Sequence, residues 1–172
     1  MSALNQLIIR QACTQDLEVL VRFNAAMALE TEGKRLDPNR LQQGTLAVFE
    51  SPSRGFYLVA ELSAETTRTI VGQLLVTYEW SDWRNANFWW IQSVYVHPEW
   101  RRQGIYRRMH AAVLDEARTQ GGICGIRLYV EGSNTIAQAA YARVGLSTST
   151  YRVFEDDFVL PRARGHAETP RE

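Results

Sequence analysis

Cysteine is scarce in this sequence. The two among 172 residues, Cys13 and Cys124, stand far apart, with no C-x-x-C pair and no histidine at metal-ligand spacing. That argues against a disulfide-stapled fold and a thiolate zinc site, and reads as two reduced thiols. An excess of one charge is also lacking, since 19 basic side chains stand against 19 acidic ones. Without a global positive field, a dedicated nucleic-acid binder is not expected, although a local patch can still hold a phosphate. Long apolar runs are missing too: the uncharged stretch within 85–98 carries polar residues and is too short for a bilayer span. The start, MSALNQLIIRQAC, has no basic region followed by an apolar one, as an export signal would. The expectation is a cytoplasmic protein with no membrane and no metal.

What is present is enough apolar material, 45% of residues, to fill one sizeable core. The reading is one domain over 1–160. Residues 161–172, rich in Arg, Gly, Pro and Glu, are expected to form a flexible tail.

Periodicity places the elements. A short strand over 7–10 precedes a helix over 14–29, with Thr14 as its cap and Asp16 in its first turn. Asp37-Pro38 opens a second helix reaching about 49, because proline suits a first helical position. The loop between these helices carries Glu30 and Glu32. Strands over 56–62 and 69–80 alternate as an antiparallel pair. In the second, Ile70, Leu74, Val76, Tyr78 and Trp80 face one way, and Gln73, Thr77 and Glu79 face a side read as wet. The run over 88–96 is apolar on both faces, as a covered central strand is. A helix through about 119 ends at Gly121-Gly122, followed by a strand over 126–130, a helix over 134–144 and a last strand over 151–160.

Chemistry gathers in two segments. Arg101-Arg102-Gln103-Gly104 lies between the central strand and a helix. A helix amino end offers unpaired N–H groups and partial positive charge, Gly104 admits close backbone approach, and the arginines add charged donors, a suitable cradle for a pyrophosphate. By themselves these residues read equally well as a solvated basic turn. The second segment places Ala137, Tyr141 and Val144 on adjacent turns of one helix behind Leu128-Tyr129-Val130. Alone, Tyr141 is most simply a core tyrosine and Asn134 a helix cap.

Together the segments resemble the GNAT superfamily of acetyl-coenzyme A-dependent N-acetyltransferases. Residues 94–105, VYVHPEWRRQGI, look like its V-x-P-x-x-R-x-x-G-I motif, and Asn134, Ala137, Tyr141, Gly145 and Leu146 look like N-x-x-A-x-x-x-Y-x-x-x-G-F. The stretch from the first motif to the end of the second, 94–146, spans about a third of the chain, with the motifs in the right order and context. The resemblance implies an α/β fold with a mixed, largely antiparallel sheet flanked by helices on both faces. It implies that Val94, Tyr95 and Val96 pair with the pantetheine arm of acetyl-coenzyme A through their backbone. Arg101, Arg102, Gln103, Gly104, Ile105, Tyr106 and Arg107 would surround the pyrophosphate. Asn134 would contact the coenzyme arm, and Tyr141 would sit beside its sulfur. Tyr106 departs from the pattern, which has Gly or Ala there, so its side chain either crowds the phosphate or points away.

The implied reaction is direct attack of an amine on the acetyl thioester. The Val96 backbone N–H is the candidate donor to the oxyanion, and Tyr141 the candidate acid for the departing sulfur. An alkyl amine with a pKa of about 10 must shed a proton near neutrality. Gln92 stands near where many relatives carry a glutamate and is a poor base, so Glu30, Glu32 and Glu79 are the carboxylate candidates. Each of them separately also reads as ordinary surface charge. Trp80, Trp83, Trp89 and Trp90, with Tyr78 and Phe88, bracket the loop 81–87, where aromatic faces near Glu79 and Asp82 suit a cation; core packing is the competing reading. The expected acceptor is a small-molecule amine; the resemblance leaves a homodimer open, since dimers are common in the superfamily, and no residue pattern establishes one. Acetylation of proteins or peptides and a non-catalytic acyl-coenzyme A sensor are the alternatives. His97-x-Glu99 lacks the C-x-x-C that a zinc deaminase needs. Cys124 reads as a buried thiol, and His110 as a surface or packing residue.

Overall fold

Strand alternation in the first half of the chain builds most of one sheet. A computed structural model describes residues 6–63 and 67–160; the tail expected at 161–172 lies outside the described residues. Strands β1 (Leu7–Gln11), β2 (Phe56–Ser63) and β3 (Arg68–Ser81) run antiparallel in that order. The far edge of β3 pairs with both β4 (Ala86–Ile91) and β5 (Tyr95–Val96), again antiparallel, and β6 (Ile123–Leu128) joins β4 in parallel. The expected single strand over 88–96 is therefore two strands with a break at 92–94. The mixed, mainly antiparallel sheet agrees with the expected fold class.

Each face has its own core. Helix α3 (Ile105–Gln120) turns Ile105, Met109, Val113 and Ala117 onto Leu74, Val76, Trp89 and Ile91. Fully burying a side chain of this size contributes about 1.5–3 kcal/mol, so this spine dominates the packing. Helices α1 (Leu17–Glu32) and α2 (Pro38–Glu50) cover the other face, where Leu20, Val48 and Phe49 meet Tyr57 and Val59. The short α4 (Thr135–Arg143) buries none of its residues.

Several expectations change. Ile70 does not share a face with Leu74 and Val76: β2 and β3 shift register between Ala60 and Glu61, leaving Val71 as the extra residue, and Ile70 joins the α1–α2 side. The side carrying Gln73 is not wet, because α1 covers it and Gln73 has no exposed surface. Thr14 does not cap α1. A 3₁₀ turn over Thr14–Asp16 precedes it, and Asp16 Oδ2 accepts from the Cys13 N–H at 2.8 Å while both Asp16 oxygens bind Arg10. Arg10 also grips the buried Glu61, tying β1 and β2 to the start of α1. The last strand expected over 151–160 does not form: Phe154 and Phe158 lie exposed, and among the described residues no strand pairs with this segment. With no partner ladder, local β propensity is insufficient. Among the described residues, no helix is long and apolar enough to cross a membrane.

Candidate active site

The break between β4 and β5 opens a slot in the sheet. From Ile91 to Tyr95 the chain advances four residues while its partner β3 advances three, from Val76 to Gln73. The extra residue is a bulge that reverses which backbone groups face β3. His97 N–H donates to Val71 C=O at 2.9 Å, so by antiparallel alternation the N–H and C=O of Val96 face away from β3. The parallel ladder to β6 ends at Ile91 opposite Leu128, and among the described residues no strand flanks Tyr95–Val96 on that side. The Val96 carbonyl accepts from Arg101 Nε at 2.8 Å. Val94 packs against the α3-side core. These polar backbone groups, with no strand alongside, fit the amides of a pantetheine arm.

The arginine-glycine loop forms the end of this slot. After a 3₁₀ turn over Pro98–Trp100, Arg102 and Gly104 take left-handed backbone angles, φ 63° and 78°, and Gly104 caps α3. The first helical bond runs from Arg108 N–H to Gly104 C=O, so the N–H groups of Ile105, Tyr106 and Arg107 precede the ladder. Exposed Arg102 and Arg107 have no ion-pair partner among the described residues. This arrangement fits a pyrophosphate. Arg101 is used differently from the expectation. Its guanidinium binds Glu30 at 2.6 Å and lies 5.4 Å from the centre of the Tyr95 ring, fastening the loop to α1 and β5. The Gln103 amide donates to the Glu99 carbonyl at 3.1 Å.

The Tyr106 side chain turns toward α4 and the next turn of α3. Its ring meets Tyr141 of α4 edge-on and lies 5.9 Å from His110. Among the described residues, the buried Tyr106 hydroxyl has no hydrogen-bond partner. Burial raises the pKa of both tyrosines, keeping them protonated, and Tyr141 adds to the effect on Tyr106. Asn134 does cap α4: its Oδ1 accepts from Ala137 N–H at 3.0 Å.

The three carboxylates are dispersed. Glu30 accepts from Tyr95 Oη at 3.0 Å as well as from Arg101. Burial opposes its ionisation, but these two donors outweigh burial and hold its carboxyl below the ordinary glutamate range. It is therefore a weak base. Glu32 pairs with Lys34 at 2.7 Å. Glu79 accepts from Trp90 Nε1 and from Arg127 at 2.7 Å. Arg127 also places its guanidinium carbon 3.6 Å from the centre of Phe88. The acidic aromatic place expected to hold a substrate cation is thus filled by the protein's own arginine. The tryptophans also separate: Trp89 is in the α3-side core, Trp90 stacks on Tyr129 at 4.3 Å, and Trp80 and Trp83 are exposed.

A cavity of about 600 Å³ lies on the other side of the sheet, between α1, α2 and the strands. Ser93, in the β4–β5 break, lines it, as do Asn24, Thr45 and Tyr57. Gln73 donates to Asn24 Oδ1 at 2.6 Å and Asn24 donates to Tyr57 Oη at 3.2 Å, a buried polar chain that Thr45 extends. None of Glu30, Glu32 and Glu79 lines this cavity. Sequence reading missed it. The available signal was Asn24 on the same helical face as Leu20 and Ala28, since a polar side chain among core positions needs partners.

The family model described as "Acetyltransferase (GNAT) family" matches residues 22–146. A solved structure described as a possible acetyltransferase from Clostridium difficile 630 is 38% identical, with TM-score 0.81 over 90% of this chain and 99% of that one. A predicted acetyltransferase with acetyl-CoA from Clostridium acetobutylicum is 15% identical, with TM-score 0.69 over 87% and 96% of the two chains. An aminoglycoside N-acetyltransferase in complex with CoA is 14% identical, with TM-score 0.68 over 89% and 95%. The last two are likenesses of fold. The sequence matches none of the curated proteins.

Proposed function

The chain belongs to the GNAT acetyltransferase family, and from that premise we propose that it moves the acetyl group of acetyl-coenzyme A to a primary amine of a small molecule by direct attack. Acetyl-coenzyme A supplies the acetyl thioester. The Val94 backbone and the second lone pair of the Val96 carbonyl, whose first accepts from Arg101, hold the coenzyme arm, and Gly104 with the start of α3, Arg102 and Arg107 holds its pyrophosphate. Arg101 and Glu30 hold the loop. The Val96 N–H donates to the carbonyl oxygen as negative charge develops there. The amine nitrogen bonds to the acetyl carbon, the carbon–sulfur bond breaks, and Tyr141 Oη gives its proton to the sulfur. The amine enters in its neutral form, and the proton its nitrogen sheds on acylation passes through solvent to restore Tyr141 Oη, so the net products are the amide and the free coenzyme thiol.

The observation that carries the small-molecule reading is the cavity beside the β4–β5 break, about 600 Å³ and within the range of small-ligand sites. Mixing the protein with acetyl-coenzyme A and a panel of amines, amino acids and peptides while recording free thiol tests it. Thiol release with small amines is expected. Release with peptides alone would favour protein acetylation, and coenzyme binding with no release across the panel would favour a sensor.

A further inference from the structure

The mouth of the cavity points to a narrower acceptor class. We infer, building on the transfer reading above, that the acceptor amine also carries a carboxylate, which Arg35 and Arg40 bind while the amine reaches toward Ser93.

Both arginines line the cavity and both are exposed, whereas Asn24, Thr45 and Tyr57 at its floor are buried. The ends therefore differ: charged donors stand at the opening, and neutral hydrogen-bonding groups and the sheet break stand deeper. Met27, Leu36 and Leu41 line the same cavity and suit an apolar carbon chain joining the two ends of the ligand.

The charged groups around the mouth are unequally committed. Asp37 Oδ1 caps α2 by accepting from the Arg40 backbone N–H at 2.7 Å. Asp157 Oδ1 accepts from the N–H groups of Val159 and Leu160 at 2.8 and 2.9 Å, and those two residues close another wall of the cavity. Glu32 and Lys34 pair with each other, and Lys34 also feels Asp157 and Glu155. Among the described residues, the guanidinium groups of Arg35 and Arg40 have no ion-pair partner. The donor capacity left over is thus two planar guanidinium forks, whose geometry matches a carboxylate. The nearby Asp37 and Asp157 charges partly offset them, which suits a single negative charge better than a double one.

The apolar walls and polar floor exclude simpler uses of these arginines. A purely cationic polyamine would meet two unpaired like charges at the opening. A neutral amine would leave both guanidinium groups hydrated and gain nothing from them.

A series of ω-amino carboxylates and the carboxamides of the same chain length tests the inference, with free thiol recorded against acetyl-coenzyme A. At the best chain length the carboxylate is expected to exceed its carboxamide at least tenfold in kcat/KM. In Arg35→Gln and Arg40→Gln that ratio falls toward one, through KM more than kcat. The N-acetylated carboxylate product, added without acetyl-coenzyme A, should raise Tm in the unaltered protein more than its carboxamide does, and lose that advantage in both variants. Turnover in which carboxamides equal or exceed carboxylates overturns the inference and leaves acetyl transfer standing. If no amine releases thiol, the transfer reading fails by itself, and the product's effect on Tm then decides whether the carboxylate site exists: equal shifts for product and carboxamide overturn it.

Discussion

Tyr106 at the start of α3 packs edge-on against Tyr141 of α4, with ring centroids 5.4 Å apart and planes inclined by 64°. α4 buries no residue of its own, so this contact is a principal restraint on where the Tyr141 hydroxyl stands. Tyr141→Phe keeps the ring and removes the proton donor; acetyl transfer should fall ~100-fold or more while Tm stays close to the parent value. Unchanged turnover with an intact fold would remove Tyr141 from the proposed chemistry.

Tyr106 itself separates ring from hydroxyl. Its buried hydroxyl has no partner among the described residues, so Tyr106→Phe should leave stability equal or higher by about 1 kcal/mol and transfer little altered. Tyr106→Ala removes the ring that holds Tyr141, and kcat should fall about tenfold while KM for acetyl-coenzyme A moves less. Equal kinetics in the two variants would show that the ring has no positioning role.

Glu30 and Arg101 make a third prediction, because the carboxylate is spent on the loop and on Tyr95. Glu30→Gln should weaken coenzyme A binding a few-fold in calorimetric titration, while the pH dependence of transfer keeps its shape. A lost acidic limb would instead identify Glu30 as the base.

His110 is buried, and burial alone pushes its imidazole below its ordinary pKa. The unfolded chain takes up that proton near pH 6.5, and the folded chain only at lower pH. The associated stability is complete above about 6.5 and declines as pH falls below that value. Tm measured from pH 7.5 to 5 should drop in the parent protein and drop less in His110→Leu.

Gly125 of β6 sits under Phe88. A Cβ there would stand 2.7 Å from the Phe88 ring, whose π system also carries Arg127. Gly125→Ala must displace that ring and should cost about 1–3 kcal/mol, read as a Tm lower by several degrees. An unshifted Tm would mean the ring moves freely and the stack with Arg127 is loose.

Residues 94–105 and 134–146 were legible in the sequence because their work is local. A glycine with positive φ, an asparagine cap and a helix amino end depend on neighbours within a few positions, and the structure forms each of them. The strands of the first half were legible for a related reason: alternation is a property of each segment, and most boundaries differ by one or two residues. The one-residue bulge at 92–94 and the shift at Val71 were not, since register is set by the partner strand and leaves no mark in the alternation of a single segment. The carboxylates show the same division. Glu30 and Glu79 stand at suggestive positions, but Arg101, 71 residues away from the first, and Arg127, 48 residues away from the second, occupy them. The sequence by itself therefore determined the family, the class of the sheet and the local form of the two motifs. Which charges remain uncommitted, and where the cavity beside the β4–β5 break lies, only tertiary packing decided, because ion pairing and enclosure depend on residues far apart in the chain.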